Sequence, residues 1–259
     1  MSASLYQPRR SGLHALNPLT KLMLTLAAVV GAATLPTLAG VLAVFVLGLV
    51  PLAAWARLLR PFLRACIRVV WPFAVSLFPI QGFFNPGATI LLTLGPFNLK
   101  AEGLWTAALL TSRLLTALGA ATLLLLTTRP DTLMTALVQR GLPGQASYII
   151  VTALQIIPGF QARARSILDA QRSRGLETEG GLRQRLRALL PLVAPLILSS
   201  LMELEERAMA LEARAFNRHG RKTSLTEIPD SAVERAARLA LLALMAWLVI
   251  ARVIWAVSP

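Results

Sequence analysis

The run LMLTLAAVVGAATLPTLAGVLAVFVLGLVPLAAWA, from Leu22 to Ala56, carries no charged residue over 35 positions. A bilayer core of about 30 Å is crossed by about 20 helical residues. The run is too long for one span and long enough for a hairpin of two. Leu35-Pro36-Thr37 supplies the break, because proline lacks the helix donor and restricts the residue before it. Asn17 as N-cap and Pro18 at the first helical position make a good start for the first helix. Spans are therefore expected at 18–34 and 37–56.

Composition agrees with this reading. The apolar set makes up 56% of the chain and charged residues 15%, against about 25% charged in soluble domains. Mean hydropathy is +0.64. A disordered chain is excluded by the apolar content, and a disulfide scaffold by the single cysteine, Cys66. Net charge is +14, from 26 basic against 12 acidic residues. In a soluble chain that excess would point to nucleic acid. Here it points to an integral membrane protein with basic cytoplasmic loops and no nucleic-acid partner.

The charges are unevenly placed. Between Arg129 and Arg235 lie 11 of the 12 acids and 15 of the 26 bases. The chain is accordingly expected to divide into a membrane part at 1–128 with about four spans, a cytoplasmic or membrane-adjacent coupling region at 129–235, and a last span at 236–259. Arg57, Arg60, Arg64 and Arg68 recur at helical spacing with no acid among them. They are read as a short helix in a cytoplasmic loop, anchored by the positive-inside effect or holding an anionic lipid or partner. The N-terminus, with Arg9 and Arg10, falls on the same side. A third span follows from Trp71 to about Phe84, ending at Asn85-Pro86-Gly87. Residues 88–99, with Gly95-Pro96, read as an outer loop or small hairpin. The fourth and fifth spans are placed at 103–128 and 236–257, with Trp247 and Trp255 as interfacial aromatics. The C-terminus then lies outside. No secretory signal is expected, since the first apolar run continues into a hairpin.

Arg113 lies within the fourth span, where a charge is costly unless paired or hydrated. No acid lies inside any span, so its partner is expected to be a carbonyl, water or another subunit. A structural role and a transport role both stay open for it.

In the charged region, Pro130 and Asp131 open a short helix that stops at Gly141-Leu142-Pro143. A longer helix with a kink at Pro158 runs to Arg174, and Gly175 closes it. After a loop from Leu176 to Gly181, a second long helix runs to about Arg218, with Gly220 beyond. Both carry arginine between small residues near their ends, as Ser173-Arg174-Gly175 and Ala213-Arg214-Ala215. Small neighbours allow close approach to a groove, and guanidinium is a forked, permanently charged donor. Two similar tips suggest two similar grooves, as on a dimer. Arginine also favours any helix C-terminus, and the residues alone leave both readings open.

Catalytic chemistry finds little support. The lysines Lys21, Lys100 and Lys222 follow no glycine, so no phosphate-wrapping P-loop exists. His14 and His219 lie far apart with one cysteine, so no metal site or cofactor is expected. Asp169, Glu203, Glu205, Glu206 and Glu212 sit among arginines and read as solvated ion pairs.

Several stretches together resemble the transmembrane T component of energy-coupling factor transporters, the family that includes cobalt-transport Q-type permeases. They are Leu13-His-Ala-Leu-Asn-Pro-Leu-Thr-Lys21, Glu102-Gly103 followed by Arg113, Leu154-Gln-Ile-Ile-Pro158, and the two X-Arg-X tips. The match runs through nearly the whole chain. Asn17 departs from the family's usual aspartate, and Ala215 from a common glycine. The resemblance implies an all-α polytopic protein of the cell membrane, about five spans plus coupling helices, that is not itself an enzyme. It implies as partners two ABC-type ATPases, a small substrate-binding S component and the lipid bilayer. Arg174 and Arg214 would each enter a groove of one ATPase. ATP-driven closure would then move the coupling helices and reorient the S component, releasing a vitamin or a transition-metal ion such as cobalt or nickel. The alternatives are a self-sufficient secondary transporter and a polytopic membrane enzyme.

Overall fold

The computed structural model describes residues 11–87, 89–94, 97–176, 181–216 and 228–257, the side chains of 92–94, 97, 182–190 and 256–257 excepted. Helices dominate: α1 Gly12–Ala15, α2 Pro18–Thr34, α3 Leu38–Ala43, α4 Val50–Trp55, α5 Leu59–Phe84, α6 Ala101–Thr127, α7 Pro130–Gln139, α8 Gly144–Ser173, α9 Leu182–Ala213 and α10 Ala232–Val257. Four helical stretches are long and apolar enough to cross a membrane, at 38–55, 59–84, 101–127 and 232–255, and Pro18–Thr34 is a shorter apolar helix. The fold is that of an all-α polytopic membrane protein.

The chain separates into two compact units, one at 142–227 and one that joins the preceding residues to 228–259.

In the larger unit, the α2–α3 hairpin breaks where Pro36 stands. Asn17 caps α2, its Oδ1 accepting from the Leu19 N–H at 2.9 Å, and Thr37 caps α3. Between α3 and α4, residues Val44–Leu49 widen into a π-helical turn. Pro51 follows directly, and its missing N–H and ring demand a change of register there. Helix α5 packs on α6, and α2 packs on both α6 and α10. The core centres on Phe45, Leu49, Phe62, Cys66 and Leu123. Cys66 is buried in α5 beside Gly119, where an added Cβ would lie 3.5 Å from its sulfur. Two backbones approach closely at Gly103. A Cβ there would meet the Gln81 carbonyl oxygen at 2.2 Å.

One expectation changes here and another narrows to one of its alternatives. The arginine-bearing segment and the third span form one continuous helix, α5, which starts at Leu59 and accommodates Pro72 and Pro79. Its arginines at 60, 64 and 68 are exposed, opposite the buried stripe Phe62, Cys66 and Val70. The segment before α6 folds as a small hairpin, β1 Ile90–Leu94 antiparallel to β2 Phe97–Lys100. Gly95-Pro96 lies outside the described residues.

In the smaller unit, α8 and α9 pack side by side. Tyr148 near the start of α8 packs at a tilt against Phe216 beyond the end of α9, with ring centroids 5.1 Å apart. Further along α8, Arg163 pairs with Glu203, further back on α9. The helices therefore run antiparallel. Pro158 sits inside an unbroken α8, and α9 accommodates Pro191 and Pro195. Helix α9 ends at Ala213, short of the expected Arg218, because the chain turns left-handed at Ala215. Arg218, Gly220 and residues 177–180 of the connecting loop lie outside the described residues.

Candidate functional site

The two arginine tips are built alike. Helix α8 leaves its last carbonyls unpaired, as every helix does. The chain recovers two of them by turning left-handed at Gly175, with φ of 90°. The Gly175 N–H donates to the Arg172 carbonyl at 2.9 Å and the Leu176 N–H to the Gln171 carbonyl at 3.0 Å. This is a Schellman cap with Arg174 at the capping position. Helix α9 ends the same way. Ala215 has φ of 53°, its N–H donates to Glu212, and the Phe216 N–H donates to Leu211, both at 2.9 Å. Arg214 takes the capping position.

The burial pattern repeats as well. Leu176 and Phe216 fold back half-buried, while Ser173, Arg174 and Gly175, and likewise Ala213, Arg214 and Ala215, are exposed. Each motif thus presents a guanidinium at a sharp corner with only small side chains beside it. Among the described residues no carboxylate is paired with Arg174 or Arg214.

Glu203 ties the helices between the tips. It accepts from Arg207 Nε on its own helix at 3.0 Å and from Arg163 on α8. Those hydrogen bonds, Arg207 first and Arg163 second, hold its carboxyl below the usual glutamate range. Along this pair of helices, Ile149, Leu154 and Ile157 on α8, and Ile197, Leu198, Leu201 and Met202 on α9, are exposed.

In the larger unit, Arg113 finds a carbonyl. Its Nη2 donates to the Leu35 oxygen at 3.0 Å, where the break before Pro36 leaves that acceptor outside the helix ladder. Among the described residues no three His, Cys, Asp or Glu side chains gather as a metal site would require.

A second polar cluster is one that sequence reasoning missed. Lys21, only 7% exposed, donates to the carbonyls of His14 at 3.1 Å and Thr127 at 3.2 Å, the ends of α1 and α6. The Asn17 backbone N–H donates to Glu234 Oε1 at 2.8 Å, and its Nδ2 to the Pro229 carbonyl at 3.2 Å. Arg238 grips both oxygens of Asp230, at 2.6 and 2.8 Å, and Arg140 adds a further contact. Burial acts to raise the Asp230 carboxyl, but Arg238 and then Arg140 outweigh it and hold it below its ordinary range. The start of α10 is thereby fastened to α2 and α7. The signal in the sequence was a lone lysine in the first turn of an apolar helix and the arginines Arg235 and Arg238 early in the last one.

The ordered polar elements at the head of α2, the close α5–α6 contact at Gly103 and the twin arginine tips fall on the stretches that carried the resemblance. A model of the cobalt transport protein family, CbiQ, matches residues 9–225. The chain belongs to this family. Among its relatives, the energy-coupling factor transporter transmembrane protein EcfT of Heliobacterium modesticaldum is 32% identical, with 91% of each chain covered. The protein of the same name from Thermosediminibacter oceani is 28% identical over 96% of this chain and 97% of its own. That of Thermanaerovibrio acidaminovorans is 33% identical over 82% and 81%. This CbiQ-family chain is thus the transmembrane component of an energy-coupling factor transporter and a multi-pass membrane protein.

Proposed function

We infer that this chain couples two ABC-type ATPases to a small membrane-embedded S component that takes up a vitamin or a transition-metal ion. One observation carries the reading. Arg174 and Arg214 stand at identical Schellman corners, exposed and without a carboxylate partner among the described residues. Two equivalent donors suit two equivalent grooves on a dimer. Each guanidinium offers a bidentate fork to a carboxylate or a row of carbonyls. The small residues on either side keep the corner narrow enough to enter a groove.

The α8–α9 pair carries the motion. ATP-driven closure draws the two tips together, and the helices, tied at Arg163 and Glu203, transmit the displacement. Their exposed aliphatic and methionine side chains form the platform for the S component. ATP hydrolysis belongs to the partners. Arg113 serves the bundle by holding the α2–α3 turn. The N-terminus and the arginines of α5 face the cytoplasm.

The test is affinity purification of the tagged protein in mild detergent, followed by mass spectrometry and an ATPase assay. Recovery of ATPases with a small membrane protein is the expected result. A stable protein recovered alone, without ATPase activity, would overturn the coupling reading.

A further inference from the structure

The α2–α3 turn lies against the C-terminal part of α10. It is held by Arg113, which lies about 18 Å of helix beyond the start of α6 and donates to the Leu35 carbonyl. The last three turns of α10 rise beside it. Between them lies a cavity of about 280 Å³, lined chiefly by Leu35, Pro36, Trp247, Leu248, Arg252 and Trp255. Its wall is almost wholly apolar apart from one cation. The Arg252 guanidinium lies 5.3 Å from the centre of the Trp255 ring. Its Nη1 is buried and has no hydrogen-bond partner among the described residues, and no carboxylate there pairs with it.

A guanidinium nitrogen removed from water without an acceptor is costly. Among the described residues no anion meets it, so the acceptor is expected from outside them. The cleft is apolar along one side and cationic at one point, which is the pattern of an amphiphile. Trp247 and Trp255, exposed at 64% and 67%, are the side chains that favour the headgroup level of a bilayer. Arg252 lies about 8 Å of helix from the end of α10, within reach of that level for a long side chain. We propose that this cleft binds one glycerophospholipid, its phosphate on Arg252 and an acyl chain along Leu35, Trp247 and Leu248.

The test is native mass spectrometry of the full chain released from nanodiscs of phosphatidylglycerol, after a detergent wash that strips bulk lipid. The unaltered chain should retain one phosphatidylglycerol. Arg252→Gln should lower the retained fraction about tenfold, with Arg252→Lys retaining most of it. Trp247→Ala, which leaves the charge and opens the groove, should also lower retention. Equal retention by Arg252→Gln would overturn the proposal. So would equal retention of a diglucosyl-diacylglycerol that lacks phosphate, or displacement of the lipid by soluble glycerol phosphate. Capture of a membrane protein, in place of lipid, by a photo-crosslinker at position 247 would assign the cleft to a partner and likewise overturn it.

Discussion

Arg163 of α8 and Glu203 of α9 form an ion pair that lies midway between the two arginine corners. Arg174 is 11 residues further along α8, and Arg214 is 11 residues further along α9. Because the helices run antiparallel, the two corners lead away from the pair in opposing directions, each by about 16 Å of helix. The layout has an approximate twofold character, which a pair of like ATPases would match. The Arg163–Glu203 pair braces the two helices at the centre.

The corners themselves should carry the assembly. Arg174→Ala combined with Arg214→Ala is expected to leave the chain inserted and folded but free of ATPase. Loss of a buried charge contact costs about 2–5 kcal/mol per site, at least about 30-fold in affinity. Either single variant should retain a weakened complex. Quantitative co-purification reads the effect, and full ATP-driven uptake by the double variant would sink the role given to both residues.

The left-handed residues should respond in opposite directions. Ala215 pays for φ of 53° with a Cβ, at a cost of about 1–2 kcal/mol, so Ala215→Gly should stabilise the α9 corner by about 1 kcal/mol. Gly175→Ala should destabilise the α8 corner by about as much. Thermal unfolding of the two variants in one detergent provides the comparison, and a shift of the same sign in both would contradict it.

The central brace should be pH-sensitive only in acid. The carboxyl of Glu203 has a folded-state pKa below its ordinary value, which is about 4.3. Its contribution is therefore complete above about pH 5 and is lost as pH falls through the folded value. The difference in melting temperature between the native chain and Glu203→Gln should be constant from pH 8 to about pH 5 and then close. A gap that stays constant as pH falls below the unperturbed value of about 4.3 would place the effect elsewhere than on the carboxylate charge.

Asn17 should resist replacement by aspartate. Its Nδ2 donates to Pro229, and Glu234 accepts from its backbone. Asn17→Asp removes that side-chain donor and sets a second carboxylate near Glu234. The loss of one hydrogen bond alone is about 1 kcal/mol. A lower melting temperature is expected, with partial recovery on adding Glu234→Gln.

Gly103 has no room for a side chain. A Cβ 2.2 Å from the Gln81 carbonyl would push α5 from α6, and overpacking of this kind costs about 1–3 kcal/mol. Gly103→Ala should lower thermal stability, whereas Gly141→Ala meets no neighbour and is strained only by its backbone. Equal melting temperatures for Gly103→Ala and the native chain would show that α5 yields freely.

The spans, the helix breaks at Pro36 and Gly141, and the two arginine corners were legible in the linear chain. Each depends on local rules, namely uncharged length, proline's missing donor and glycine's access to positive φ. The left-handed turn at Ala215 was not legible, because alanine carries no local preference for it. It follows from the Schellman bonds and from Phe216 folding back onto Tyr148. Nor could the α5 arginines be joined to the span that follows, since helix continuity through Pro72 rests on packing against α6. The chain's own residues determined that this is a helical membrane protein with two arginine corners. Tertiary structure decided that Lys21 closes two helices, that Glu234 and Asp230 fasten the start of α10 to α2 and α7, and that Arg113 meets the Leu35 carbonyl. Those partners lie dozens to hundreds of positions apart, and burial alone makes their pairing obligatory. A charge removed from water must find whatever acceptor the fold brings to it.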